Sequence, residues 1–392
     1  MSGLQEIPLG KLVDVVVDNR GKTPPISEAG YELLEVNAIS QDRRTPDYSK
    51  VRKFVSEETF KNWFRKGHLQ PGDILVPTVG TIGNVALVQE SRGAIAQNLI
   101  ALRLKSGVDS RYIYYFLSSS LGKDLMLNLD IGGVQPSIKV PHLLDLKVPL
   151  ADYEDQRAIA AVLSSLDDKI DLLHRQNKTL EAMAASLFRQ WFVEEAQEDW
   201  EEVAVGDYVE LNRSSIDKSY THTTIEYLDT GSLTEGKIES LQSLTLDEAP
   251  SRAKRLVQHN DVLISTVRPD QNHYGIIKNP IENLVVSTGF CVLTCTKIDP
   301  HFIYLLLTDD EMTDYLHTIA EGSTSTYPSL KPSDIGVIVF QLPPDDRLKE
   351  FAIIAHNSWE KIEKNYIQIR TLETLRDTLL PKLMSGEVRV EV

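Results

Sequence analysis

The sharpest pattern in the chain is a seam of apolar residues at alternating spacings of four and three. It runs through Ile159, Leu163, Leu166, Ile170, Leu173, Asn177, Leu180, Ala184, Leu187 and Trp191, with Asn177 as its one strongly polar member. This period predicts a long helix that buries one stripe against another helix. A second, less apolar seam runs through Phe351, Ala355, Ser358, Ile362, Asn365, Ile369, Leu372, Arg376, Leu379 and Leu383. Laid antiparallel with Asn177 facing Asn365, the seams match as Leu173–Ile369, Ile170–Leu372, Leu180–Ile362, Leu187–Ala355 and Trp191–Phe351. A buried Asn pair selects such a register at some cost in stability. The match degrades where Leu166 meets Arg376, and Pro381 is expected to end or kink the second helix before Leu383. Asp152 and Asp155 suit the first helix N-terminus, and Asp345 and Asp346 the second, where acceptors meet unpaired N–H groups.

Ahead of each long helix stand short β-rich runs bounded by Gly, Pro, Asn and Asp: DILVPTV, NVALVQ and LIALRL, then DVLIST, YGIIK and FCVLTC. A short helix follows in each case (RYIYYFLSSSLGKDLMLNL; HFIYLLLTDDEMTDYLHTIA), and then a Pro-punctuated strand (LLDLKVPL; DIGVIVFQLP). The two series correspond segment by segment. KIDLLHRQNKTLEAMAASLF (169–188) matches KIEKNYIQIRTLETLRDTLL (361–380), and LQPGDILVPTVG (69–80) matches VQHNDVLISTVR (257–268). IPLGKLVDVVV (7–17), RYIYYFLSSS (111–120) and GGVQPSIKVPHLLDLKVPL (132–150) have counterparts at 203–213, 301–310 and 323–343. A period of half the chain is a tandem domain duplication, not a solenoid. It predicts an α+β chain in which two duplicated domains, β-rich with short helices, are separated by two long antiparallel coiled-coil helices in pseudo-two-fold symmetry. The boundaries fall at residues 1–151 for the first domain, 152–199 for the first long helix, 200–345 for the second domain, and 346–392 for the second helix and tail. From Ile159 to Trp191 the first helix would rise about 48 Å at ~1.5 Å per residue. Two similar globules held apart by such a ruler suit a target with two separated sites, and duplex DNA is the commonest polymer of that kind.

Composition refines this picture. The 392 residues are 42% hydrophobic and 25% charged, enough for two or three cores. The net charge of −16 argues at first against nucleic acid. It is unevenly spread: +2 over residues 1–151, −6 over 152–199, −12 over 200–345 and 0 over 346–392. The acidic segments could meet basic protein partners that supply positive charge around a duplex. The opening MSGLQEIPLG lacks a basic-then-apolar signal pattern, and no run of 18 apolar residues occurs, so a cytoplasmic protein is expected. Cys291 and Cys295 would share one face of a strand, four residues apart, as buried thiols that do not easily bridge.

Together these features resemble the specificity subunit of type I restriction–modification systems, and the resemblance spans essentially the whole chain. PGDILVPTVGTIGNVALV, AIAQNLIALRL, GGVQPSIKVPHLLDLKVPL with DQRAIAAVLSSLDDKI, STVRP and the closing TLLPKLMSGEV look like phrases of that family. The resemblance implies that each globule is a target recognition domain reading one half of a split, asymmetric DNA sequence, with the helices fixing the spacer. It implies a subunit without catalytic residues. Its partners would be double-stranded DNA, two adenine-N6 methyltransferase subunits and two motor–nuclease subunits. No cofactor would bind this chain; S-adenosylmethionine, ATP and Mg²⁺ would sit on the partners.

The residues themselves offer no competing chemistry. GKT at 21–23 lacks a P-loop glycine, since Val16 stands in its place, and no HExxH or GxSxG occurs. Nor is there an Asn-Pro-Pro-aromatic or Asp-Pro-Pro-aromatic stretch of the adenine methyltransferase kind. DNA contacts are expected from Lys and Arg on phosphates and from Arg, Lys, Asn and Gln on base edges. In the first domain the candidates are Arg43, Arg44, Tyr48, Lys50, Arg52 and Lys53, then Lys61, Arg65 and Lys66. Thr78, Thr81, Asn84, Gln97 and Asn98 are candidate base readers that could equally satisfy backbone groups at strand ends. In the second domain they are Tyr220, His222, Arg252, Lys254, Arg255, Arg268, Gln271, Asn272, His273 and Tyr274. Two other readings fit less well: a pseudo-symmetric coiled-coil scaffold joining two protein partners, and an orphan or decoy DNA reader with no nuclease partner. The basic cluster at 43–53 weighs against the scaffold.

Overall fold

The computed structural model describes residues 4–390 apart from 22, 41–42, 131, 133–134 and 324–326. Lys22 of the GKT triplet and parts of the GGVQPS and STSTYPS turns therefore lie outside the described residues. The chain divides into two compact units, Met1–Leu173 with Ile367–Val392, and His174–Tyr366.

In the first unit, a four-stranded antiparallel sheet runs in the order Val13–Val17, Leu99–Leu104, Ile74–Pro77, Ala86–Leu87. The DILVP run supplies one of its two interior strands, Ile74–Pro77, which is buried throughout. Successive side chains of a strand point to opposite faces. Ile74 and Val76 therefore join a core with Tyr112, Ile113 and Phe116 of helix Ser110–Ser118. Leu75 turns the other way, into a core with Leu34 and Ile95 of a second sheet. That second sheet orders Phe54–Val55, Tyr31–Leu34 and Ala94–Ile95, its last pair parallel. Asp73 opens the interior strand fully buried, which is tolerable because Arg103 grips it with two bonds of 2.8 and 2.9 Å.

The second unit repeats the plan. Its main sheet orders Val209–Leu211, Phe290–Cys295, Val262–Ser265 and Tyr274–Ile276, and a second sheet orders Gln242–Thr245, Thr224–Leu228, Leu284–Ser287 and Ala253–Leu256. Val262 and Ile264 face the helical core, and Leu263 faces the second sheet. The duplication reaches the caps: Asp109 and Asp299 each accept a hydrogen bond from the backbone N–H two residues on, at 2.9 Å. In each copy a small two-stranded sheet leads toward the long helix, Gln5–Pro8 with Lys147–Leu150 and Glu201–Ala204 with Val339–Leu342. Cys291 and Cys295 are free thiols on the helical side of their strand, and burial pushes both up to about 12.

The first long helix spans Tyr153–Arg189 and the second Asp345–Ser385, and each contributes residues to both units. Within the first unit the start of one packs on the end of the other, Ile159, Ala160 and Leu163 sharing a core with Leu380, Leu383 and Met384. Within the second unit the order is complementary, with Ala184, Phe188 and Phe192 against Phe351, Ala355 and Trp359. The pairing is antiparallel in both. Asn365 Nδ2 donates to Asn177 Oδ1 at 2.7 Å, and both residues are buried.

Two details differ from the heptad reading. The seam slips by one residue toward the helix ends. Phe188 and Phe192, not Leu187 and Trp191, bury their rings beside Phe351 at 5.9 and 5.1 Å, and Trp359 replaces Ser358. An α-helix at 3.6 residues per turn drifts about 20° per heptad against a strict 3.5 repeat, and Trp191 and Phe192 lie in a π-helical turn, Gln190–Glu194, that shifts the stripe further. Nor does Pro381 stop the second helix, which continues to Ser385. Burial of Leu380, Leu383 and Met384 on either side of Pro381 offsets the missing hydrogen bond. No helix among the described residues is long and apolar enough to cross a membrane.

Candidate nucleic-acid interface

In the first unit the basic residues form an exposed loop stiffened by local bonds. Asp47 caps the short turn Tyr48–Lys50 through Ser49 N at 3.0 Å and pairs with Arg43 at 3.0 Å. Arg52 donates to the carbonyl of Ser49 at 2.8 Å, and Lys53 pairs with Glu35 at 2.8 Å. Lys50 is exposed. Arg92, which no pattern in the sequence singles out, lies 4.2 Å over the Tyr48 ring while holding Glu32 at 2.7 Å. Exposed pairs of this kind contribute little to stability and exchange readily with water or a phosphate.

Beside this loop sits a second group. Ser56 caps helix Glu57–Trp63, where Lys61 pairs with Glu57; Arg65 and Lys66 are exposed just beyond it. Tyr31, Phe60 and His68 stack there in a three-ring ladder, with centroid separations of 4.0 and 3.9 Å. A ring ladder next to exposed cations suits stacking against a sugar or base. Its members are far apart in sequence, so composition could not reveal it.

Several expected contacts are otherwise engaged. Arg44 does not join the exposed face: its side chain is only 11% exposed and reaches back to Asp168 at 2.5 Å and Asp171 at 3.6 Å on the first long helix. Thr78 is buried, and its hydroxyl donates to the Asn98 carbonyl at 3.2 Å. Asn84 donates to the Ile39 carbonyl at 3.4 Å, and the Asn98 side-chain oxygen is buried. Thr78 and Asn84 tie strand ends together, as short polar side chains there commonly do, whereas the buried Asn98 Oδ1 has no hydrogen-bond partner among the described residues. Thr81 and Gln97 remain exposed.

In the second unit the turn after strand Val262–Ser265 is unusual. Arg268 and Asn272 both adopt left-handed backbone, at φ 49° and 55°, and flank the short turn Pro269–Gln271. Two non-glycine residues in that region store strain that the surroundings must hold. The Arg268 amide bonds to the Pro328 carbonyl at 3.0 Å, and Asn272 donates to Glu235 at 3.3 Å. His273 Nδ1 lies 2.8 Å from the Leu233 carbonyl, and Tyr274 packs its ring against Tyr304. His273 and Tyr274 therefore support the loop from below. Arg268 and Gln271 project outward, the Arg268 guanidinium 4.7 Å over the Tyr327 ring. Arg252 and Lys254 are exposed, whereas Arg255 is half-buried and donates to Ser215 Oγ at 3.2 Å. Tyr220 packs on the second sheet's core with His222 beside it at 5.3 Å.

Each unit thus presents exposed cations and amides on a two-sheet scaffold, in the first around residues 43–53 and just beyond helix Glu57–Trp63, in the second chiefly on the turn after strand Val262–Ser265. Among the described residues, no group of His, Cys, Asp and Glu is placed to hold a metal ion. Residues 3–182 and 197–370 each match the sequence family of the type I restriction modification DNA specificity domain. The chain belongs to that family. Among its relatives, the type I restriction enzyme MjaIX specificity subunit of Methanocaldococcus jannaschii is 28% identical over 351 residues, which cover 82% of this chain and 78% of that one. The HindI specificity subunit of Haemophilus influenzae is 27% identical over 183 residues, 46% of this chain and 40% of the relative. The crystal structure of the S subunit from M. genitalium superposes with a TM-score of 0.59 at 17% identity, over 99% of this chain and 96% of that one, a likeness of fold. Two copies of a DNA specificity domain make this chain a DNA-recognition component of the type I restriction–modification kind.

Proposed function

We propose that each recognition domain reads one half of a split DNA sequence, that the long helices set the gap between the halves, and that chemistry is left to docked partners. The observation that carries this is the duplication: both copies keep the two-sheet scaffold and the capped helix, while each exposes cations and amides on loops of its own. Their loops differ in composition, so the two halves of the site would differ in sequence. Positions such as Arg43, Lys50, Arg65, Arg252 and Lys254 suit phosphates, and Arg268 and Gln271 suit base edges in the major groove. Two methyltransferase subunits carrying S-adenosylmethionine would dock on the chain. Two motor–nuclease subunits using ATP and Mg²⁺ would join them. The acidic segments would meet basic partner surfaces, which predicts weak, salt-sensitive DNA binding by the isolated chain.

Sequencing of methylated adenines in a host with and without this gene tests the reading. A motif of two short halves separated by an unspecified gap of constant length should vanish when the gene is removed. A methylome unchanged by the deletion would return the chain to the protein-scaffold reading.

A further inference from the structure

Three elements of the first unit meet at one carboxylate. Tyr115, on helix Ser110–Ser118 of the first recognition domain, donates its hydroxyl to Asp167 Oδ2 at 2.6 Å. Arg376, on the second long helix, donates Nη1 to Asp167 Oδ1 at 2.9 Å. Tyr115 is buried, and the Asp167 side chain on the first long helix is 8% exposed. One residue and one turn further along that helix, Asp168 and Asp171 receive Arg44 from the recognition domain's basic loop. This junction occupies the place where the two seams mismatch, Leu166 against Arg376.

The duplicated copy fills the same place without charge. In the repeat, Tyr115, Asp167 and Arg376 correspond to Leu305, Trp359 and Ala184. All three are buried together in the core of the second unit. Packing at this position therefore does not require ions. Apolar surfaces attract without direction and tolerate small slips. A buried carboxylate bonded from two sides does not, because moving Arg376 leaves its charge unpaired and moving Tyr115 takes away one of its hydrogen bonds.

We propose that Tyr115, Asp167 and Arg376, with Arg44 alongside, are positioning residues that fix the seat of the first recognition domain on the helix pair, and thereby the gap between half-sites that the complex accepts. The inference rests on the bipartite reading above. It assigns gap selectivity mainly to the first copy, where these three positions are polar or ionic and buried or partly buried. The second copy's pair on the same helix, Arg189 with Glu311 at 3.2 Å, is exposed.

The test is methylome sequencing of hosts expressing the chain together with its methyltransferase partners. Two variants are compared with the native chain: Tyr115→Phe, which removes one donor, and the apolar triple Tyr115→Phe/Asp167→Leu/Arg376→Leu. The triple variant should melt at or above the native temperature, since well-packed apolar groups commonly replace buried ion pairs without loss. Both half-sites should keep their bases. Methylation at sites whose gap is one base pair longer or shorter should rise about tenfold relative to the preferred gap, and Tyr115→Phe should move the same way by less. A native gap preference in the triple variant overturns the inference. So does loss of bases from the first half-site, or loss of all methylation by the triple variant while Tyr115→Phe keeps the native gap. If the native chain yields no split motif, the functional reading itself fails, whatever the variants do.

Discussion

Glu181, on the first long helix within the second unit, shows how a single half-buried group leaves a measurable trace. Burial, and then the neighbouring Glu235, pushes its carboxyl from an ordinary 4.5 up to about 7. Tyr274, Tyr304 and Tyr366 stand around it and titrate far above this range. Between these two values the folded chain keeps a proton that the unfolded chain has released, so this group's contribution to stability falls as pH rises through the window. Glu181→Gln, which stays neutral, should therefore gain melting temperature over the native chain on going from about pH 5 to about pH 8. Parallel melting curves across that range would contradict the assignment. Nothing in the pattern around Glu181 points to this group, because its environment comes from Glu235 and Tyr304, distant along the chain. The same limit applies to the interface. Arg43, Lys50, Arg65 and Arg268 were legible as exposed cations from their polar neighbours. Arg44 was not separable from Arg43 by composition, although one faces solvent and the other faces Asp168.

At the scale of elements, the long helices were the most legible part of the molecule, because a period sustained over ten positions leaves few alternatives. The central Asn pair was readable from the seam itself, and its hydrogen bond lies within the second unit. What the heptad could not show was the drift that substitutes Phe188, Phe192 and Trp359 for their neighbours. That drift depends on how straight the paired helices run. The Asn pair leads to a double-mutant cycle. Asn177→Leu alone strands the Asn365 amide in an apolar seam and should cost about 1–3 kcal/mol. Asn177→Leu/Asn365→Leu should recover that loss or exceed it, giving a coupling that thermal melting can read. Two single variants that melt like the native chain would mean the amides contribute nothing to the register. The short strands were legible as β-rich runs, but their order in the sheets was not. The parallel pairs Leu33–Ala94 and Glu226–Leu284 join segments about sixty residues apart.

For the whole molecule, the decisive feature is that one plan is written twice and then diverges where contact with a ligand would occur. The interior strands, the capped helices and the buried Asp73 and Asp261 are retained. The loops after those strands share little, and the three junction positions Tyr115, Asp167 and Arg376 are matched by the apolar Leu305, Trp359 and Ala184. Duplication with divergence at the tips is what separate reading of two half-sites requires, and a scaffold joining identical partners would have no need of it. The measurement that tests this most directly is the methylome of an Arg268→Ala variant assembled with its partners. A bidentate Arg–base contact contributes about 1–3 kcal/mol of discrimination. One position in one half of the motif should therefore become degenerate, while the other half and the gap stay native. Equal loss of selectivity in both halves, or weaker methylation at every site with the motif unchanged, would contradict the account.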